Sequence, residues 1–484
     1  MIRKYTINNS KPYKGNSEEG ITKKNKMKYN KNVLTTLDTK KQTSKNIRKY
    51  KHIGKNVGKH VGKNVGKHID KNKYKHTNTT YISTLINLYY DNDNVANNFL
   101  KYKDTKQHIF PEHNRIIVIG DIHGDLDVII ECLILSNCIE KIVVPDIKDV
   151  LSMDAFFKSI KWIGNDTYVV QLGDQIDRVR PQNWDDNDVT QDIAYKDEGS
   201  TLEIFYLFYY LDKLAREYNG RVFSIIGNHE IMNVEGDFRY VSLKEFKSFK
   251  EHLESVYNAN SKFPYHSRTL KKNSIKLLKN NIESNTDSKL PKGYRERLYA
   301  FSPTGMCANM IGCNNYTMLQ IGKWLFCHGS PVLNTLNNYS IDMINNFVSM
   351  YLNGIDNDND AAMNYYKIVK NGNSSVMWNR DFGETELSNH TEIRLTKQLN
   401  TILSAYNNKN RILQKTNNSQ PANYIAIGHT VQDINKHGIN SICNGRVWRC
   451  DVAMSKAFGD NKVSKYRKPQ VLEILHDNLT KVLM

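Results

Sequence analysis

The chain is 484 residues long, 39% hydrophobic, and carries a formal net charge of +18, with ample material for a large core. No uninterrupted apolar run reaches the roughly 18–20 residues of a membrane-spanning helix, and the opening Met1-Ile2-Arg3-Lys4-Tyr5 lacks the apolar stretch of a secretory signal. Seven cysteines, scattered from Cys132 to Cys450, do not make a compact disulfide framework; reduced thiols and a soluble, intracellular setting are expected, cytoplasmic or, for a viral chain, in a host cell or virion.

The charge is unevenly placed. Residues 1–78 hold 22 Lys or Arg against 4 Asp or Glu, while the remainder balances 46 against 46. This first segment is rich in Lys, Asn, Thr and Gly, and too poor in large apolar groups to repay the entropy of ordering. Within it, His52-Ile53-Gly54-Lys55-Asn56-Val57-Gly58-Lys59 is echoed through Ile69 with glycine at a density that disfavours a stable helix. A disordered basic tail is expected, suited to nonspecific contact with polyanions rather than to reading a sequence.

The ordered domain is expected over 79–484. Ile116-Ile117-Val118-Ile119 reads as a buried strand ending at Gly120, followed by a helix through Val128–Leu135. Thr167–Leu172 supplies a second strand, Leu202–Tyr218 a covering helix, and Val222–Ile226 a third strand. Residues 236–315 break the rhythm and read as a mainly helical cap insertion with an exposed loop from Lys271 to Lys292. Further helices are expected at 335–350 and 390–407. Strands at Tyr424–Ile427, Arg446–Cys450 and Val471–Leu475 complete an α/β core with its motifs at strand ends.

Those ends carry the chemistry. Asp121 and His123, one residue apart between Gly120 and Gly124, can face one metal ion. Asp174 in Gly173-Asp174-Gln175-Ile176-Asp177-Arg178 can bridge two ions; Asn228 adds an amide oxygen, and His328 and His429 add imidazoles. Such donors suit two divalent or mixed-valence ions, manganese first, with iron or zinc also compatible. Two ions about 3.5–4 Å apart would orient a phosphate and activate a water as nucleophile. His229 is read as proton donor to the leaving alkoxide and Asp177 as the carboxylate that orients it. Arg178 and Arg380 are read as guanidinium clamps on phosphoryl oxygens, with Asn228 also touching the phosphate. Glu230 and Asp451 are placed behind the ligands, Glu230 being equally suited to the start of a helix.

Together these residues resemble the metallo-dependent, calcineurin-like phosphoesterases, and more closely the phosphoprotein phosphatase family with its bacterial-like Shewanella-type branch. Asp121-x-His123-Gly124, Gly173-Asp174-x-x-Asp177-Arg178 and Gly227-Asn228-His229-Glu230 match that family's consecutive signatures. The resemblance covers about 115–455 and implies a central β-sandwich flanked by helices, rather than a simple doubly wound sheet. It implies Asp121, His123 and Asp174 at one metal, and Asp174, Asn228, His328 and His429 at the other. It also implies His229 with Asp177 as the acid pair, Arg178 as a phosphate ligand and Arg380 as the later arginine.

The chain departs from the family pattern in two places. Val179 stands where glycine usually follows Asp-Arg, and Arg180 and an acidic insertion through Glu198 come next. Cys327-His328-Gly329-Ser330 lacks the usual pair of glycines. The leading expectation is metal-dependent hydrolysis of phosphate monoesters, chiefly phosphoserine and phosphothreonine of proteins. Alternatives are hydrolysis of dinucleoside polyphosphates or other small phosphoesters, and a non-catalytic polyanion-binding adaptor.

Overall fold

The computed structural model describes residues 106–144, 150–180, 196–251, 290–355, 360–369, 374–383, 388–433, 437–459 and 465–484. The basic tail expected at 1–78 lies outside them, as does the stretch from 79 to 105. Ile116, Ile117, Val118 and Ile119 are all fully buried, because a strand covered on both faces needs no apolar–polar alternation. They form β2 (Arg115–Ile119), which pairs in parallel with β3 (Tyr168–Gln171), itself parallel to β4 (Arg221–Ser224). On its other side β2 meets the antiparallel hairpin of β10 (Val471–Leu475) and β11 (Leu479–Leu483), giving the order β11-β10-β2-β3-β4.

A second sheet runs β1-β5-β6-β7-β9-β8, from β1 (Ile109–Phe110), β5 (Met318–Ile321), β6 (Trp324–Cys327), β7 (Tyr424–Ile427), β8 (Asn440–Ile442) and β9 (Val447–Arg449). The sheets join where Tyr316 N–H donates to Ser224 O and Ile226 N–H to Tyr316 O, both at 2.8 Å. One continuous apolar core takes side chains from both sheets. This is the central β-sandwich with flanking helices that the motifs led us to expect.

The flanking helices include α1 (Leu126–Leu135), α2 (Val150–Ser159), α3 (Thr201–Arg216) and the short α4 (Asn228–Val234). Asp125 caps α1, its side chain accepting from Val128 N. Within the expected insertion, 243–251, α5 (Tyr294–Phe301) and α6 (Met306–Asn314) are helical, and 252–289 lie outside the described residues. Phe238, Val241 and Phe246 make a small second apolar cluster there, with Tyr294 and Leu298 packed on it.

Two helix expectations change. The single helix foreseen at 335–350 is broken into α7 (Leu333–Asn338) and α8 (Ile341–Leu352), because Tyr339 is extended and Ser340 caps the second piece. After α9 (Asp360–Val369), the helix foreseen at 390–407 runs on as α10 (Asn389–Thr416). Its polar continuation is held from within: Asn410 accepts from Ile341 N at 2.9 Å and donates to Tyr406 O at 2.9 Å.

Candidate active site

Five loops at the carboxyl ends of β2, β3, β4, β6 and β7 converge, drawn from both sheets. His123 N–H donates to Asp174 O at 3.0 Å and Gly124 N–H to Gln175 O at 2.9 Å, lacing the first two loops together. His429 N–H donates to the Asp121 carboxylate at 3.0 and 3.2 Å, and His229 N–H to Asp174 Oδ1 at 3.0 Å. The approach is so close that a Cβ on Gly227 would lie 2.2 Å from Asp174 Oδ1. His123, Asp174, Asp177 and His429 all have positive φ, at 42°, 50°, 74° and 67°. Strain of this kind, about 1–3 kcal/mol per residue, persists only where surrounding structure over-determines it.

Two groupings of ligand atoms share Asp174: His123, Asp174 and His229 in one, Asp174, His328 and His429 in the other, with atoms within 4.8 Å of one another in each. Asp121 belongs to neither triplet, but the His429 N–H bonded to its carboxylate seats it against the second of them. The tautomers suit metal binding. His123 Nδ1–H donates to Ile176 O at 3.4 Å, leaving Nε2, and His429 Nε2–H to Trp378 O at 3.1 Å, leaving Nδ1. Burial first, then the neighbouring charge of Arg180 or His328, holds both rings well below the usual histidine range, so they are neutral, as ligands must be.

His328 is different. Its Nδ1–H donates to Leu172 O at 2.8 Å, and its Nε2 lies 2.8 Å from Asn228 Oδ1 and 3.2 Å from Asp174 Oδ1. Burial alone would push His328 down, but the Asp174 carboxylate and the Leu172 carbonyl outweigh it and hold the ring above its usual value. Asn228, Asp174 and His328 therefore meet at a point where the imidazole is held by carboxylate and carbonyl oxygens. Asp121 is raised well above the carboxylate range by burial and by the charges of Asp451 and Asp174. Asp451 is pushed up to about 6, chiefly by burial, and its Oδ2 has no hydrogen-bond partner. Crowded carboxylates, neutral imidazoles and an orphaned oxygen are the donor chemistry that divalent cations satisfy.

His229, a member of the first grouping, also meets Asp177 Oδ2 through its Nδ1 at 2.8 Å. Asn233, one helical turn on from His229, donates to both Asp177 oxygens at 2.9 Å. Glu230 accepts from the backbone N–H groups of Gly227, Asp174 and Gln175 at 2.7, 3.0 and 2.9 Å, so it both starts α4 and fixes the Asp174 loop. Burial, then the Asp174 charge, pushes its pKa up to about 7.

The arginines are arranged otherwise than the sequence reading supposed. Arg178 is fully buried, donating to His123 O at 3.3 Å and Lys196 O at 3.1 Å and ion-paired with Asp125 and Glu198. Lys456 joins the same acidic group, 2.6 Å from Asp127. With both terminal amino groups engaged in this network, and its Nε buried without a partner, Arg178 does not present the phosphate fork expected of it. Arg180 stands nearer the ligands, its guanidinium 4.6 Å from the Phe458 ring centre and 5.8 Å from that of Tyr240. Those two rings pack edge-on against His123 at 5.5 Å and His229 at 4.6 Å. Exposed Arg380 donates to His429 O at 3.0 Å, at the rim of the same cluster.

A family model for calcineurin-like phosphoesterases matches residues 114–433. The chain belongs to the calcineurin-like phosphoesterases. Membership implies a dinuclear divalent-metal centre, which the two groupings around Asp174 match. It also makes the chain a metal-dependent phosphatase. The phosphoesterase is 27% identical to Shewanella-like protein phosphatase 2 of Arabidopsis thaliana over 77% of this chain and 78% of that one. It is 25% identical to Shewanella-like protein phosphatase 1 of Plasmodium berghei over 71% of this chain and 68% of that one. An uncharacterised protein of Acanthamoeba polyphaga mimivirus, R398, is 26% identical over 56% of this chain and 94% of its own length. A cold-active protein tyrosine phosphatase aligns structurally at 16% identity and a TM-score of 0.45, covering 80% of this phosphoesterase and 83% of that chain. No helix among the described residues is long and apolar enough to cross a membrane.

The sequence reading missed Asn233, Arg180, Glu245 and Arg297. Asn233 was within reach, since position i+4 on a helix shares a face with His229. Glu245 accepts from the N–H groups of Asp177 at 3.3 Å and Arg178 at 3.2 Å, and only the folded insertion brings it there.

Proposed function

We propose that this phosphoesterase removes phosphate from proteins, with phosphoserine and phosphothreonine as its leading substrates. The observation that carries the reading is the buried His229–Asp177 pair, 2.8 Å apart, set against two ligand groupings that share Asp174. Asp121, His123 and Asp174 would hold one ion, and Asp174, Asn228, His328 and His429 the other. When bound, two such ions, manganese first with iron or zinc compatible, supply Lewis-acid activation of the phosphoryl group and of the attacking water.

The protein's own residues do the rest. Asp177 keeps the His229 ring turned so that Nε2 faces the reacting side, where it gives its proton to the departing alkoxide oxygen. Arg180, Arg380 and Asn228 receive the phosphoryl oxygens, the two guanidiniums stabilising charge that the transfer concentrates there. Arg178 instead ties the Asp177 loop to the acidic group beneath it. The helical insertion borders the Asp177 side and selects among substrates. The names carried by the Arabidopsis and Plasmodium relatives favour a protein substrate over a small nucleotide.

The test is phosphate release by protein stripped of metal and reloaded with manganese, with an Asp174→Asn variant as control. Phosphoserine, phosphothreonine and phosphotyrosine peptides are compared with a dinucleoside polyphosphate. Manganese-dependent turnover of the phosphothreonine peptide, lost in the variant, is expected. Preference for phosphotyrosine would overturn the serine/threonine assignment alone, and preference for the nucleotide would overturn the protein substrate. No turnover by folded, metal-loaded protein would leave the polyanion-binding adaptor.

A further inference from the structure

Arg297 lies on α5, in the segment inserted between β4 and β5, and is fully buried. Its Nη2 is 3.1 Å from Asp177 Oδ1, its Nε donates to Asn233 Oδ1 at 2.8 Å, and its Nη1 to Thr201 Oγ1 at 3.2 Å. The guanidinium is sandwiched by aromatics, 5.0 Å from the ring centres of both Phe249 and Phe301. Ion pairs buried this completely, 0% exposed on both sides, are costly to desolvate and weak evidence of stability by themselves. The arrangement calls for a reason beyond holding the fold.

The hydrogen-bond logic supplies one. Arginine has donors only, so its Nε forces the Asn233 amide to turn its oxygen toward Arg297. The Asn233 NH2 must then face Asp177, where it donates to both carboxylate oxygens at 2.9 Å, and to His229 O at 2.9 Å. Arg297 itself takes Asp177 Oδ1, leaving Oδ2 directed at His229 Nδ1, 2.8 Å away. Asp177 also sits at a positive φ of 74°, with its N–H given to Glu245 at 3.3 Å. The carboxylate is thus held by Arg297, Asn233 and His229, and the Asp177 backbone by Glu245; Arg297 and Glu245 both come from the insertion.

We propose that Arg297 is a positioning residue for hydrolysis: it locks Asp177, directly and through Asn233, so that His229 presents Nε2 to the leaving oxygen, making proton donation depend on a docked insertion. This rests on the assignment of His229 as the acid. Without Arg297, Asp177 and the Asn233 amide gain alternative orientations, and the His229 ring loses its fixed direction while Asp121, His123, Asp174, Asn228, His328 and His429 keep their places. The loss falls on substrates whose leaving group needs a proton, because a good leaving group departs without one.

The experiment compares a phosphothreonine peptide with 2,4-dinitrophenyl phosphate, using the manganese-loaded full chain. His229→Asn is expected to lower kcat on the peptide about 100-fold or more, with a much smaller loss on the aryl ester. Arg297→Met is expected to lower kcat on the peptide at least about 10-fold and on the aryl ester less than about 3-fold, with KM and bound manganese unchanged. Arg297→Lys keeps the charge but cannot serve Asp177, Asn233 and Thr201 together, so it shows the same selective loss in smaller measure. It also carries the test where the methionine variant does not fold. Equal losses on both substrates, loss of manganese, or wild-type kinetics in Arg297→Lys would overturn the proposal while a selective His229→Asn loss leaves the acid assignment standing. Equal losses in His229→Asn would sink the acid assignment itself.

Discussion

Gly428 and Asp121 stand so close that a Cβ on the glycine would lie 2.2 Å from Asp121 Oδ1. The next N–H, that of His429, donates to both oxygens of the same carboxylate. A metal-binding loop of one sheet is thereby seated directly on that of the other. Gly428→Ala should displace Asp121 from the centre with little harm to the strands behind it. We expect a fall in kcat/KM of about 100-fold, the usual cost of misplacing a site by an ångström, together with substoichiometric manganese. Urea unfolding should shift by only about 1–2 kcal/mol. Full metal content with normal turnover would show that the two loops can part without consequence.

The burial of Asp121, Asp451 and Glu230 around the Asp174 charge makes the centre a drain on stability until cations enter. Ligands that bind only the folded state stabilise it by about 2.7 kcal/mol at one hundred times their Kd. For a domain of about 400 residues that corresponds to a Tm rise on the order of 3 °C. Manganese added to stripped protein should produce this rise, and most of it should vanish in Asp174→Asn, which removes the carboxylate common to both groupings. Calorimetry with and without chelator decides it, and an unchanged Tm would mean that the carboxylates are not where the ions bind.

Arg178 and Arg180 make opposite predictions from neighbouring positions. Removing Arg178 leaves Asp125 buried and weakens the hold on Glu198, so Arg178→Met should cost about 3–5 kcal/mol of stability. Arg180→Met should leave folding within about 1 kcal/mol while lowering kcat/KM by roughly 10–100-fold, the loss of one preorganised charge at the phosphoryl group. Unfolding curves and steady-state kinetics on the two variants separate the roles. Wild-type kinetics in Arg180→Met would remove it from the phosphate site.

How much of this was readable beforehand follows from physical range. Asp121, His123, Asp174, Asn228, His229, His328 and His429 stand out as candidates because each follows a strand end in a short glycine-bearing motif, and the fold brings those strand ends together. The strand Trp324–Cys327 before His328 is not among the strands expected from the sequence. The burial of Arg178 has no signal in the sequence, because its partner Glu198 lies at the far end of an acidic stretch whose return to the site has no local signature. Arg297 was invisible for the same reason: nothing within a helical turn of Asp177 announces a cation from the insertion. The break at Tyr339-Ser340 was within reach, as serine before an apolar-periodic run is a common helix start.

Asp477, in the turn between β10 and β11, gives a pH prediction remote from the metal centre. Its Oδ2 accepts from Lys323 N at 2.8 Å, while Trp324 Nε1 donates to its backbone oxygen at 3.0 Å. Oδ1 is buried without a partner, and burial pushes the carboxyl up to about 6, against the pull of the Lys323 N–H. A folded-state pKa above the unfolded value of 3.8 means that the folded chain binds the proton more tightly. The stabilisation from that proton is therefore present at low pH and lost as pH rises from about 4 to about 6. Asp477→Asn cannot titrate, so the stability difference, wild type minus variant, should shrink by on the order of 1 kcal/mol between pH 4 and pH 7, after allowance for solvent screening. Urea midpoints measured for both proteins at the two pH values supply the four numbers needed. A difference independent of pH would mean that Asp477 is ionised in the fold throughout, and that its unpartnered oxygen reaches water.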